Sequence, residues 1–380
     1  MKAPDLRMLL TLKKAISIST GQLETVLAGT VNLSIQKKRR IFDLTDKIDS
    51  LVTQFIPCEE YSSFQRKGGM NNITHFIETE SGKYVLRVYQ THCDIEKVMY
   101  EHAILLKLQQ YKLPFGTPEP IYSVDRETVK HTEDGKPVAM FRYMEGMTPS
   151  FTTGAELKSF GWAAGKLSSA LKNVTMPLRP VYRPYYEIEN THPKCPVDAV
   201  ISFCESPAFP FDQFRDQLSQ VARQLTMFRE KSQIIKNLPH QLIHGDLNAS
   251  NVLADEEGNI TAILDFEFVT EDLRVMELCV CLSEIINMKQ SDEKLWSNLA
   301  SFLEGYSEEQ KLAPEEIEVI PLLVLLRRLD VFIHFFGRYW DGIDASQILM
   351  DQIKNLAAQV DWLDKNGERL RKLVEDSCKK

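Results

Sequence analysis

No apolar run in this sequence is long enough to cross a bilayer, which sets aside a transmembrane helix. Near the start, Lys13 and Lys14 interrupt the only apolar stretch, so a secretory leader is not expected either. Cysteine is sparse and unpatterned, with seven residues, an odd number, and no C-x-x-C pair. Cys279-x-Cys281 lies in an apolar run, where free cysteines pack as small hydrophobes. That usage argues against a disulfide framework or a zinc site and for a reducing cytoplasm. The eight histidines are scattered, and none combines with cysteine at metal-ligand spacing. Internal repeats are absent. So is an excess of positive charge: the net charge is −8, which argues against a general nucleic-acid partner. The expectation is a cytoplasmic protein with neither membrane nor nucleic acid as partner, of open oligomeric state.

What is present is ordinary for a soluble globular protein. The chain has 380 residues, 43% hydrophobic and 26% charged, enough for one large or two smaller domains with a real core. The charge is uneven. Residues 1–40 carry eight Lys or Arg and two acids, and the remainder stands at −14. Residues 1–45 contain the basic run Lys37-Lys38-Arg39-Arg40 and one short amphipathic stretch, and read as an extension outside the main unit. The acidic body suits an amine-bearing ligand.

The most informative stretch is His244-Gly245-Asp246-Leu247-Asn248-Ala249-Ser250-Asn251, followed by Asp265-Phe266-Glu267. An Asp, four residues, then an Asn is the catalytic-loop spacing of phosphoryl-transfer enzymes. Such chemistry needs a base beside the attacking hydroxyl and metal ligands beside the phosphates. A tight loop lets Asp246 face a hydroxyl while Asn251 turns its amide oxygen to a metal. Val252–Ala254, a turn at residues 256–259 and residues 260–264 read as a β-hairpin, which returns Asp265 to Asn251. The stretch resembles the aminoglycoside phosphotransferase and choline kinase superfamily, with its protein-kinase-like fold. Within that superfamily it is most similar to the homoserine kinase type II group. The resemblance covers most of residues 46–345 and is strongest over residues 242–287.

The resemblance implies ATP and Mg²⁺ as cofactors and assigns further residues. Gly68 and Gly69, ahead of a strand pair, would approach phosphate oxygens through their backbone N–H groups. Arg87 stands in Val85-Leu86-Arg87-Val88, where kinases carry the lysine that holds the α- and β-phosphates. Arginine departs from that pattern, although it binds phosphate bidentately. Glu101, on a helix read over residues 95–111 with apolar positions at Val98, Met99, Leu105, Leu106 and Leu108, would pair with Arg87. Its alternative partner is Lys97 at i,i+4. Backbone groups near Phe141 and Tyr143 would hydrogen-bond the adenine at the hinge between lobes. Glu267 is a third candidate metal ligand. Glu271, Asp272 and Arg274 would form the rim that receives an amine and a carboxylate of the acceptor, or else a surface salt-bridge turn.

The rest reads as a helical lobe. Leu157, Phe160, Ala164, Leu167 and Leu171 make one buried stripe, and Gly161, Ala163, Ala164 and Gly165 would permit close packing. The Pro- and Tyr-rich residues 176–212 read as an irregular insertion near the cleft. Glu277, a lone acid in an apolar helix, would anchor the loop backbone by charge-assisted hydrogen bonds. His244 reads as structural and His334 as a core histidine. The expected fold is α+β and two-lobed, with a small β-rich N-terminal nucleotide-binding lobe over residues 46–145 and a mainly helical lobe over 146–380. The expected activity is ATP-dependent phosphorylation of a small-molecule hydroxyl, with Asp246 as base and homoserine or a related amino alcohol as acceptor. Two alternatives stay open: an aminoglycoside- or choline-type phosphotransferase, and a catalytically weak nucleotide-binding relative.

Overall fold

A computed structural model of the chain describes residues 48–57, 59–65, 72–90, 94–176 and 178–379. The N-terminal extension and the Gly68-Gly69 turn lie outside the described residues.

The first lobe is built on an antiparallel sheet: β1 (Tyr61–Gln65), β2 (Asn72–Thr79), β3 (Lys83–Tyr89), β4 (Lys130–His131) and β5 (Pro137–Arg142), in spatial order β1-β2-β3-β5-β4. Strand alternation divides β3 between two faces. Tyr84, Leu86 and Val88 join Ile77, Val138 and Met140 in a small core, closed by Leu51, Val52, Phe55 and Ile56. Arg87 and Tyr89 point the other way, toward helix α1 (Ile95–Leu108), whose N-terminus is capped by the Asp94 carboxylate on the Glu96 N–H (3.0 Å). On α1 the buried set is Val98, Tyr100, Glu101, His102, Ile104, Leu105 and Leu108. Met99 is exposed, against the sequence reading, because the helix packs on both the sheet and the second lobe and its buried arc turns toward Glu101 and His102.

In the second lobe, α2 (Gly154–Leu171) begins at a capping box formed by Thr153 and Glu156. It crosses α6 (Asp292–Ser307) at very close range. A Cβ on Gly161 would stand 1.9 Å from the Phe302 carbonyl oxygen, and one on Gly305 would stand 1.9 Å from that of Lys158. Between them in sequence lie α3 (Val197–Glu205), α4 (Arg215–Ile235) and α5 (Met276–Asn287). Two long helices, α7 (Ile320–Trp340) and α8 (Ser346–Cys378), pack on each other and on α5. Among the described residues no helix is long and apolar enough to cross a membrane.

Four short strands position the site. Strand β6 (His240–Ile243) pairs antiparallel with β9 (Thr270–Leu273), and β7 (Val252–Ala254) pairs with β8 (Ile260–Ile263). The sequence reading assigned no strand to residues 269–274. The structure makes most of them a strand, so both ends of the 244–269 segment are tied together. The β7–β8 hairpin is also bonded to the segment between α1 and β4 and to the linker between the lobes: Gly116 exchanges hydrogen bonds with Thr261 and Ile263 (2.8 and 2.9 Å), and Met147 with Ala254 (2.9 and 2.8 Å).

Candidate active site

The loop after β6 is held from behind. Glu277, fully buried on α5, accepts the N–H groups of His244 (2.5 Å) and Gly245 (3.3 Å). Burial pushes its carboxyl up to about 7, against the pull of those two N–H donors. Gly245 turns at φ 81°, a conformation that favours glycine. His244 is fully buried; its Nε2 lies 2.8 Å from the Leu264 carbonyl oxygen, and its Nδ1 accepts the Asp246 N–H (3.2 Å). That places the proton on Nε2, and burial lowers the ring's proton affinity. His244 therefore shapes the loop.

Asp246 leaves this turn with both carboxylate oxygens engaged. Oδ1 is ion-paired with Arg327 of α7, and Oδ2 accepts the Asn251 amide N–H (2.9 Å). The same amide nitrogen donates to the Asp246 carbonyl (2.8 Å), so Asn251 Oδ1 is directed away from Asp246. The hairpin returns the chain as expected: the Leu264 N–H donates to the Asn251 carbonyl (2.8 Å). Asp265 follows at φ 63°, a left-handed conformation rare for a residue with a side chain. Its Oδ1 lies 3.3 Å from Arg87 Nη1.

Arg87 in turn stands 3.6 Å from Glu101, so Glu101 pairs with Arg87 rather than with Lys97. Burial disfavours the Arg87 charge, but Asp265, Tyr89, Glu101 and Glu267 around it raise its pKa overall. Burial pushes the Glu101 carboxyl up, and Arg87 pulls it back. Glu267 is buried and accepts the Asn72 amide N–H across the cleft (3.3 Å). Among the described residues no three His, Cys, Asp or Glu side chains converge as a metal cage. Two oxygen donors, Asn251 Oδ1 and Asp265, do fit magnesium, which binds through one or two protein ligands and takes the rest from phosphates and water.

The hinge expectation shifts along the chain. Phe141 pairs with Val85 in the sheet, and its ring lies 5.5 Å from the Arg87 guanidinium. The N–H groups of Arg142 and Tyr143 are spent on the carbonyls of Glu119 and Lys83 (3.0 Å each). Neither Phe141 nor Tyr143 is thus placed to meet adenine with its N–H. Met144, Glu145 and Gly146 follow without backbone hydrogen bonds among the described residues.

The expected acceptor rim is corrected. Asp272 is fully buried and accepts the N–H groups of Tyr185 and Leu273 (2.6 Å each). Arg274 is clamped by the buried Glu316 (Nε 3.0 Å) and the Lys311 carbonyl (3.2 Å), so it is not available to a substrate carboxylate. Glu271, by strand alternation, points out to solvent. Burial pushes the Asp272 carboxyl up to about 7, while its two N–H donors pull it down. The folded chain therefore holds this proton more tightly than the unfolded one, whose ordinary value is 3.8, and stability from this group falls as pH rises from about 4 to about 7. Asp272→Asn is expected to flatten that decline in melts recorded across this window; parallel curves for the two proteins would refute it.

In place of the rim, the structure brings together residues that the sequence reading missed. A cavity of about 450 Å³ opens beside Asp246, walled by Tyr185 and by Arg327, Asp330, His334 and Arg338 of α7. The Tyr185 hydroxyl donates to the Gly245 carbonyl and accepts from Arg327 Nη1 (2.6 Å each). The insertion thus reaches into the catalytic loop. His334 lines this cavity rather than the core. The signal was a polar stripe at positions 327, 330, 334 and 338, spaced three and four apart on an otherwise apolar helix.

A family model described as the phosphotransferase enzyme family matches residues 65–316. The homoserine kinase of Rhizobium meliloti (strain 1021) is 24% identical over 286 residues, covering 73% of this chain and 81% of that one. The homoserine kinase of Zymomonas mobilis is 23% identical over 279 residues, covering 73% and 80%. Among solved structures, an amicoumacin kinase in complex with AMP-PNP and Ca²⁺ superposes with a TM-score of 0.60 at 15% identity, covering 82% of this chain and 92% of that one. A microcompartment-associated aminopropanol kinase does so at 0.56 and 17%, covering 82% and 94%. These structural likenesses show the two-lobed kinase-like fold.

Proposed function

The chain belongs to the phosphotransferase enzyme family, and from that premise we propose that it transfers the γ-phosphoryl group of ATP to the hydroxyl of an amine-bearing small alcohol of amino-acid size. That it is a small-molecule phosphotransferase follows from the family and its relatives. The acceptor is the open part. One observation carries the proposal: Asp246 sits at the wall of a cavity of about 450 Å³, its carboxylate held by Arg327 on one side and Asn251 on the other. In the proposed mechanism Asp246 orients the acceptor hydroxyl and takes its proton as the phosphoryl group leaves ATP. Arg87, released from Asp265, holds the α- and β-phosphates. Asn251 Oδ1 and Asp265 hold Mg²⁺, which when bound neutralises phosphate charge. Adenine contacts fall to the backbone of Met144 and the two residues after it.

The amine meets Asp330. That carboxylate accepts the Thr191 hydroxyl (2.9 Å), and among the described residues it has no cation within ion-pair distance. An adjoining cavity of about 390 Å³ shares Tyr185, Asp330 and His334, and favours the second reading, a larger aminoglycoside-type acceptor. Asn251 bonded to Asp246, and Asp265 returned by the hairpin to pair with Arg87, weigh against a catalytically weak relative. An ATP-consumption screen across amino alcohols, hydroxy-amino acids and aminoglycosides tests the proposal; turnover confined to aminoglycosides would overturn the small acceptor.

The metal assignment has its own test. Asp265→Ala is expected to weaken ATP binding only when magnesium is present. Without the metal its loss removes a competitor for Arg87, so affinity should hold or rise. Titrating ATP with and without magnesium separates the two cases, and equal losses in both would contradict a metal role.

A further inference from the structure

Three arginines line the acceptor cavity, and they are not alike. Arg327 is ion-paired with Asp246 and bonded to Tyr185. Arg338 holds Asp344 through two hydrogen bonds (2.6 and 2.9 Å). Arg328 is 4% exposed, yet its nearest carboxylate is Glu284 at 4.0 Å, the outer limit of an ion pair. Its Nη2 donates to the neutral Gln352 amide oxygen (3.2 Å); each of the three arginines keeps one buried nitrogen without a partner, but only Arg328 lacks a closely bonded carboxylate.

Resting on the acceptor reading above, we propose that Arg328 is an anion subsite of this cavity and that the acceptor carries a carboxylate in addition to its hydroxyl. The physical case is one of unmatched charge. A buried cation is costly unless paired and hydrogen-bonded. Burial lowers the proton affinity of Arg328, and Glu284 only partly opposes it, whereas the charges around Arg327 raise that of its neighbour. A carboxylate entering the cavity supplies the missing partner and can meet the planar guanidinium edge-on. An acceptor bearing only amines brings a second cation toward Arg328 instead. At 100° per residue, Arg328 and Asp330 flank opposite sides of the cavity face of α7. The anion and amine contacts are therefore separate.

The test is calorimetric binding of a panel of hydroxy-amino acids of three to six carbons, each beside its carboxamide, to the wild-type chain, Arg328→Gln and Arg328→Lys. At least one acid is expected to bind the wild type on the order of 10²-fold more tightly than its carboxamide. Arg328→Gln should erase that gap by weakening the acid alone, with ATP affinity unchanged, and Arg328→Lys should restore part of it. A wild type that binds no acid better than its carboxamide would overturn the subsite. So would an Arg328→Gln chain in which acid and carboxamide weaken equally, because that marks a structural role. Should Arg328→Gln fail to fold, the wild-type comparison still decides. Failure of the broader proposal looks different: the acid preference persists, but no panel member becomes phosphorylated.

Discussion

Asp246→Asn is expected to lower kcat by roughly 10²–10⁴-fold while leaving ATP affinity nearly unchanged. The carboxylate receives two donors from opposite sides, Arg327 and the Asn251 amide. An asparagine offers an oxygen to only one of them and presents its own N–H to the other. It also cannot take the acceptor's proton. In the proposed arrangement the phosphates are held elsewhere, on the Arg87 side of the cleft, so nucleotide binding should be spared. Arg327 loses its partner, and some stability should go with it. Steady-state turnover with the best acceptor from the screen, ATP titration and a thermal melt together make the check. A variant that keeps near-wild-type kcat would remove Asp246 from the chemistry.

Gly161→Ala should be the most destabilising single methyl in the helical lobe. Two effects oppose each other. Alanine favours a helix over glycine by about 1 kcal/mol. Against that, the new Cβ would stand 1.9 Å from the Phe302 carbonyl oxygen, which is backbone and cannot rotate aside. Overpacking of this kind costs about 1–3 kcal/mol and occasionally more, and a backbone clash on both helices belongs at the upper end. A net loss of about 2 kcal/mol lowers the melting temperature by roughly 4–8 °C for a lobe of this size. Gly305→Ala meets the same obstacle from the partner helix. Gly367→Ala is the control: on α8 its Cβ would find Pro321 at 3.4 Å, an ordinary contact, so the helix preference wins and stability rises. If Gly161→Ala melts no lower than Gly367→Ala, the close crossing is not what holds these helices.

What could be read from the sequence was what is local. The loop from His244 to Asn251, the hairpin after it and the glycine-bearing helix each declare themselves within a few residues, and Glu277 stood out as a charge inside an apolar helix. The acceptor side was misread for two reasons. On β9, proximity in sequence concealed the alternation that sends Asp272 inward and Glu271 outward. On α7, high overall apolarity hid a polar stripe that matters only because Tyr185, from an insertion without periodicity, closes over it. Which hinge N–H groups are free could not be read from the sequence because a backbone donor leaves no trace in side-chain identity; its availability depends on Glu119 and Lys83, distant in the chain.

The bonds from Gly116 and Met147 to the β7–β8 hairpin also bear on how the cleft breathes. The hairpin between Asn251 and Asp265 is stitched to the small lobe at Gly116 and to the linker at Met147. Between those anchors Met144, Glu145 and Gly146, the last at φ 141°, carry no backbone hydrogen bond among the described residues. Rocking of the small lobe must then either carry the hairpin with it or break the Gly116 bonds, so the two lobes are coupled at the segment that bears Asn251 and Asp265.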